Sequence, residues 1–266
     1  MSFSIEGKTA IVTGAANGVG LAIARHFVDK GANVMFADMD ETRLVKECGK
    51  TSDDGSMQYF VGDLRERLTM ANLLSATLDS FDRVDILING SRQMEVSNPL
   101  DLDDGSVEKM INQNLFTSLR LSQVVAKRMI KQAEGHEDGP VGTIINLSSI
   151  AARHSHPELL GYSVACAALD QMTRSLAVAL APQRIRVNGV AFGSVMSNSL
   201  KHTLKEHSEY RKDIEDHTPL GRIAAPSELA ETVQYLASEA AGFITGQIMT
   251  VDGGRTLLDP VAAPAH

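Results

Sequence analysis

Directly after a short apolar run, Thr9-Ala10-Ile11-Val12, the chain reads Thr13-Gly14-Ala15-Ala16-Asn17-Gly18-Val19-Gly20. Glycines let a backbone turn sharply and come close to a pyrophosphate, and the free N–H groups that open the following helix favour an anion. Gly14, Asn17, Gly18, Val19 and Gly20 are therefore candidate phosphate-cradling residues, since the loop falls between a strand and a helix. Asp38 ends the next apolar run, 24 positions beyond Gly14. A carboxylate there accepts hydrogen bonds from ribose hydroxyls and repels a 2′-phosphate. No Arg or Lys stands at 15–17 or 39–40 to compensate such a phosphate, so NAD is expected over NADP. A second stretch, 159–169 with Ser148-Ser149 just before it, places the phenol of Tyr162 and the thiol of Cys166 four residues apart. On a helix that spacing puts both on one face.

The rest of the chain has to position these groups. Apolar runs alternate with amphipathic stretches: strands are expected at Thr9–Val12, Val34–Ala37, Met57–Val61, Val84–Ile88, Thr143–Leu147, Ile185–Val190 and Ile248–Val251. Helical spacing covers Val19–Val28, stopped by Gly31, then Glu41–Lys50, Leu68–Phe81, a long helix Val107–Lys131 and Tyr162–Leu180, ended by Pro182. A turn is expected over residues 135–140, and a helix start at Pro226-Ser227-Glu228 with Ser227 as its cap. Continuously apolar strands separated by helices mean a Rossmann-type, doubly wound α/β fold. Its seven-stranded, mostly parallel sheet is covered on both faces. Residues 1–266 are read as one domain. Within it the long polar stretch 193–225, without a strand, is expected to cover a substrate site as a lid. The tail 260–266 is expected to fray.

Composition narrows the function classes. Formal charge is −8, from 25 basic and 33 acidic residues, with no basic stripe, so neither nucleic acid nor an anionic membrane is an expected partner. No uninterrupted apolar run reaches the roughly 18–20 residues of a membrane span, and residues 1–6 lack a secretory pattern. Cys48 and Cys166 lie 118 positions apart without metal-ligand spacing. The histidines at 202, 207 and 217 likewise lack it, and no metal site is expected. A cytoplasmic location is the plain reading. Met110 and Met129 are expected to pack in helix cores.

Taken together, these motifs resemble the short-chain dehydrogenase/reductase family over nearly the whole chain. Thr13–Gly20 is similar to the family's T-G-x-x-x-G-x-G loop, and Asp63 with Leu64 resembles its adenine-contacting segment. Asn114 matches the helix asparagine of the catalytic tetrad, Ser149 the catalytic serine and Tyr162, 13 positions later, the catalytic tyrosine. The segments 185–188, 244–247 and 251–254 are also similar. The resemblance implies hydride transfer between a nicotinamide and a carbonyl or alcohol carbon of a small molecule. In it Tyr162 handles the proton, Ser149 holds the substrate oxygen and Asn114 gives structural support. Cofactor contacts are implied for Asn89, Gly90, Gly193, Val195 and Ser197. It also implies a homotetramer, or at least a dimer, built through the long helices.

Three positions depart from the family pattern. Cys166 stands where a lysine four residues after the tyrosine binds the nicotinamide ribose and lowers the tyrosine pKa; a thiol is shorter and mostly neutral at pH 7. Asn89-Gly90-Ser91-Arg92 replaces Asn-Asn-Ala-Gly and puts a bulky cation beside the expected cleft. Phe192-Gly193 replaces Pro-Gly, removing a rigid turn, with Ser197 able to stand in for a nearby threonine. Arg92, Arg153, His154 and His156 could each supply the missing charge, but a solvated loop is the expected role of these cations. Cys166 is read as a small helix-packing residue rather than a reactive thiol. Two functions follow: an NAD(H)-dependent oxidoreductase impaired by loss of the lysine, or a non-catalytic chain that binds a dinucleotide as a sensor or assembly subunit.

Overall fold

The structure is a computed structural model that describes residues 2–49, 55–135 and 138–259. Seven parallel strands form one sheet in the order β3-β2-β1-β4-β5-β6-β7. They are β1 (Thr9–Thr13), β2 (Asn33–Asp38), β3 (Met57–Val61), β4 (Ile86–Asn89), β5 (Gly142–Ser149), β6 (Ile185–Phe192) and β7 (Ile248–Val251). The expected fold class is the observed one. The order reverses between β1 and β4, which pair as Ala10 with Ile86 through Val12 with Ile88. A crevice opens at such a switch point beyond the strands' carboxyl ends.

Side chains alternate across the pleat, so β1 feeds both faces. Ala10 and Val12 pack with Ile23 and Phe27 of α1 (Gly18–Asp29) and with Leu229 and Val233 of the helix Pro226–Ala237. Ile11 packs on the other side with Leu73 of the helix Arg67–Phe81 and with Leu121, Val125 and Met129. Both faces being covered explains why the strands read as unbroken apolar runs. Met110 and Met129 are fully buried, as expected.

Three expectations need correction. The long helix is not uniform: α4 (Ser106–Met110) passes into a π-helical turn, Ile111–Phe116, before α5 (Thr117–Gln132). The stretch 193–225, expected to lack a strand, holds helices Asn198–Glu206, capped by the Ser197 side chain, and Glu209–Asp216. An isolated parallel bridge, Val195 with Ala224, closes its base. The helix at 226 is capped at Ala225, not Ser227, because Pro226 fills the first helical position and Glu228 Oε2 accepts the Ala225 N–H at 2.8 Å. Several strands also run further toward the carboxyl edge than their apolar runs: β1 includes Thr13, β5 Ser149 and β6 Phe192. Lys50 and the tail 260–266 lie outside the described residues, as do His136 and Glu137 of the expected turn.

The helix α6 (Leu160–Leu180) carries Tyr162 and Cys166. With its following turn it is long and apolar enough to cross a membrane by length and composition, at a mean hydropathy of 1.2. Within the fold it lies beside β5 and β6, with Asp170, Gln171 and Arg174 midway along it.

Candidate active site

The glycine loop is built by close approach of backbone to backbone. A Cβ on Gly20 would lie 2.2 Å from the Gly14 carbonyl oxygen, and one on Gly14 would lie 2.7 Å from that of Gly90. Gly14 and Gly18 also hold positive φ, of +70° and +59°. The Thr13 hydroxyl ties this loop to the end of β4, accepting the N–H groups of Gly90 at 3.0 Å and Ser91 at 3.1 Å. At the start of α1, Asn17 makes no side-chain cap and the first turn holds no acidic residue. The helix dipole there is left for an outside anion. Asp38 sits at the end of β2, its Oδ2 accepting the Ala16 N–H at 3.1 Å and its Oδ1 that of Asp40 at 3.1 Å. The cradle and the carboxylate beside it suit a dinucleotide.

Two expected cofactor residues are engaged elsewhere. The Asn89 amide donates to Ser122 Oγ at 3.0 Å and to Asn146 Oδ1 at 2.8 Å, and Asn146 in turn donates to Thr173 Oγ1 at 2.8 Å. This buried relay stitches β4, β5, α5 and α6 together, so Asn89 offers a ligand only its backbone. Asp63 accepts the Arg65 guanidinium at 2.9 Å, which holds its carboxyl below the usual range. Leu64 beside it is buried in the core.

The segment after β4 is clamped by the π turn. Asn114 Oδ1 accepts the Gln93 N–H, and its amide donates to the Gln93 carbonyl, both at 2.8 Å. Gln113 Nε2 donates to Ser91 Oγ at 3.3 Å. π-helical turns of this kind recur at functional sites. Between the two clamped positions Arg92 turns inward: its Nη1 donates to the Tyr162 hydroxyl at 2.8 Å, and its guanidinium carbon lies 4.3 Å from the centre of the Phe192 ring. Arg92 is exposed, as the preferred solvated-loop reading expects, but its guanidinium is bonded to the Tyr162 hydroxyl, which that reading does not expect. A side chain long enough to cross 70 positions of sequence is aimed by tertiary packing that no local pattern reveals. The other weighed cations lie elsewhere: Arg153 Nη1 donates to Thr250 Oγ1 at 3.1 Å, and His156 Nδ1 accepts the Glu158 N–H.

Tyr162 is 5% exposed and Cys166 3%, in a small cluster with Met110 and Ala165. Cys166 thus packs as expected. Burial pushes the Tyr162 phenol above its ordinary pKa, while the Arg92 charge and the hydrogen bond with Ser149 pull it back down. Burial likewise raises the Cys166 thiol to about 11, leaving it neutral at pH 7. One turn further along α6 lies buried Asp170, its Oδ1 without a hydrogen-bond partner and its Oδ2 4.0 Å from Arg153 Nη2. Ser149, at the end of β5, accepts the Ala151 N–H at 3.2 Å. Phenol, hydroxyl and guanidinium converge beyond the strand ends, the arrangement needed to hand a proton to an oxygen held nearby.

Residues 193–197 form the far wall. The Gly193 N–H donates to the Val251 carbonyl at 3.1 Å, and Val195 is buried. A Cβ on Gly18 would come within 3.7 Å of the Ser197 Cβ, so the start of the segment 193–225 touches the glycine loop. The histidines of that segment stand beside acids on the surface: His202 with Glu206, His207 with Glu209 and His217 with Asp213. A cavity of about 690 Å³ lies at the opposite, amino-terminal edge of the sheet, lined by Lys8, Asp85, Arg186 and Phe243 among others, far from this chemistry.

Known proteins are similar to this chain over most of its length. A family model described as enoyl-(acyl carrier protein) reductase matches residues 14–256. An uncharacterised oxidoreductase of Thermotoga maritima is 32% identical over 95% of this chain and 97% of its own length. The 7α-hydroxysteroid dehydrogenase of Escherichia coli K12 is 29% identical over 94% of each chain. A crystal structure of a 7α-hydroxysteroid dehydrogenase, complexed with NADH and 7-oxo glycochenodeoxycholic acid, superposes with a TM-score of 0.87. It is 29% identical and covers 95% of this chain and 96% of that one.

Proposed function

Because the chain belongs to the short-chain dehydrogenase/reductase family of oxidoreductases, which bind nicotinamide cofactors, we propose that it transfers hydride between NAD(H) and a small alcohol/carbonyl pair. The observation that carries this reading is the meeting of Tyr162 and Ser149 beyond the strand ends, with Asn114 clamping the segment beside them. The dinucleotide would be held by the glycine loop, the open start of α1 and Asp38, and it would supply the hydride. In reduction Tyr162 donates its proton to the carbonyl oxygen while Ser149 Oγ hydrogen-bonds that oxygen. In oxidation the tyrosine oxygen accepts the hydroxyl proton. A carboxylate at 38, with its two hydrogen bonds to loop N–H groups, favours NAD over NADP by repelling a 2′-phosphate. The substrate is a small molecule seated under the lid 193–225 of a single catalytic domain. The protein works as a cytoplasmic homotetramer, with neither nucleic acid nor membrane as partner.

Cys166 has neither the charge nor the reach of a lysine toward a ribose, so the enzyme turns over more slowly than a lysine-bearing relative. The same residue favours a second reading, a dinucleotide-binding subunit without turnover. Calorimetric titration with NADH and steady-state NADH oxidation over a carbonyl panel separate the two. Binding with turnover that disappears in Tyr162→Phe supports the enzyme; binding with no turnover on any carbonyl supports the subunit.

A further inference from the structure

We propose that Arg92 is a catalytic residue: its guanidinium is the fixed cation that stabilises the Tyr162 phenolate, in place of a charge on α6. The proposal rests on the dehydrogenase reading for its use in turnover, and on geometry for everything else. Arg92 Nη1 lies 2.8 Å from the Tyr162 hydroxyl oxygen. A guanidinium can only donate, so the tyrosine oxygen accepts from it in both protonation states. The bond strengthens when that oxygen is charged.

Three contacts hold the cation in place. Phe192 lies under the guanidinium, with the carbon 4.3 Å from the ring centre, a cation–π contact that restrains a long side chain. On one side of Arg92 the Ser91 hydroxyl is held by Gln113, and on the other both backbone groups of Gln93 are held by Asn114. Among the described residues no carboxylate lies within ion-pair distance of Arg92, so its charge is not neutralised at close range.

Among the described residues, the groups facing Tyr162 include no second cation. From its own helix come Cys166, a neutral thiol, and Asp170 two turns away; from β5 comes Ser149, which carries no charge. The π turn and α4 present Ile111 and Met110, and the turn after β5 presents Ala151 and Ala152. Arg92 is the cation on the phenol. In oxidation the substrate hydroxyl proton passes to the phenolate oxygen, and Arg92 keeps that oxygen ionised at lower pH than burial alone would allow. In reduction the same proton leaves the phenol for the carbonyl oxygen.

The test is read without turnover. Tyr162 is replaced by 3-fluorotyrosine, a more acidic phenol, and its ionisation is followed by fluorine NMR in the cofactor-free protein, with and without Arg92→Gln and Arg92→Lys. Removing a cation at hydrogen-bond distance should move the midpoint upward by about one pH unit or more, and Arg92→Lys should restore part of the shift. Coincident midpoints in the parent and Arg92→Gln proteins overturn the proposal. In turnover, Arg92→Gln should lower kcat/KM for alcohol oxidation about tenfold near neutrality and move its acidic limb to higher pH. If the NMR midpoint moves but no carbonyl or alcohol is turned over, the dehydrogenase reading fails and the Arg92–Tyr162 coupling stands. If Arg92→Gln instead raises KM only for carboxylated substrates and leaves both the midpoint and the pH limb in place, Arg92 is a substrate anchor and the proposal is wrong.

Discussion

At the scale of single residues, Arg92 takes up one half of what a lysine does in the family pattern, the charge on the phenol, and Cys166 leaves the other half, the ribose contact, undone. Cys166→Lys should raise kcat/KM about tenfold in an Arg92→Gln background, and less in the parent protein, since two cations on one phenol are not additive. Both lysine variants should bind NADH more tightly, as calorimetry would show, because the new ammonium reaches toward the ribose. The two thiols give a second check. Cys48 is pushed up to about 12 and Cys166 to about 11 by burial. At pH 8 both should resist iodoacetamide in the native state and react together on denaturation, read by mass spectrometry. Rapid native labelling of Cys166 would contradict its packing against Tyr162. What the sequence disclosed at this scale was residue type and spacing: Gly14 and Gly20 fall at the turn from β1 into α1, Asp38 ends β2, and Tyr162 and Cys166 lie one turn apart on α6. The aim of Arg92 and the inward turn of Asn89 were hidden, because each is set by partners tens of positions away, Tyr162 and Asn146.

Among the elements, the π turn 111–116 is the clearest feature with no sequence signature. Its residues spell an ordinary amphipathic helix, and the wider turn shows only in the structure, where Gln113 and Asn114 meet the segment 91–93. Asn114→Ala would leave both backbone groups of Gln93 without their partner. A cost of about 1–3 kcal/mol is expected, measured by chemical denaturation. Activity should fall further than stability alone explains, since the backbone that aims Arg92 is loosened. Tyr162 ionisation in this variant should move in the same direction as in Arg92→Gln. The glycine loop gives a harsher test: Gly20→Ala pushes a methyl to 2.2 Å from a carbonyl oxygen. The loop must then shift, and NADH binding should be lost before the fold is, as calorimetry beside circular dichroism would show. Asp38→Ser, which removes the carboxylate and little else, should raise the NADPH/NADH ratio of kcat/KM several-fold.

For the molecule as a whole, the seven-stranded sheet and its two-sided core followed from the alternation of apolar runs and helices, which a parallel sheet imposes on any sequence that builds it, while the order of the strands shows only in the structure. Leu160, Val164 and Val178 on α6 and Phe116 beside α5 stand partly or largely exposed, on the helices through which the proposed tetramer would form. Light scattering after size exclusion should return a tetramer, and the melting temperature should rise with protein concentration. The acid limb of stability has a defined sign. Glu228, paired with Arg222 and accepting the Ala225 N–H, is held down to about 2 from an ordinary value of 4.5. Its contribution is complete above pH 4.5 and is lost as pH falls toward 2. The pair is solvent-screened and adds little, so Arg222→Ala should lower the melting temperature slightly at neutral pH and not at all below pH 2.

The bridge between Val195 and Ala224 joins the two ends of the segment 193–225. The chain between them leaves and re-enters the body of the protein through a single neck. If this segment covers the substrate as proposed, exchanging residues 198–216, which hold its two helices, for those of another family member should transplant its substrate preference while the sheet, the glycine loop with its neighbour Ser197 and the tyrosine stay untouched.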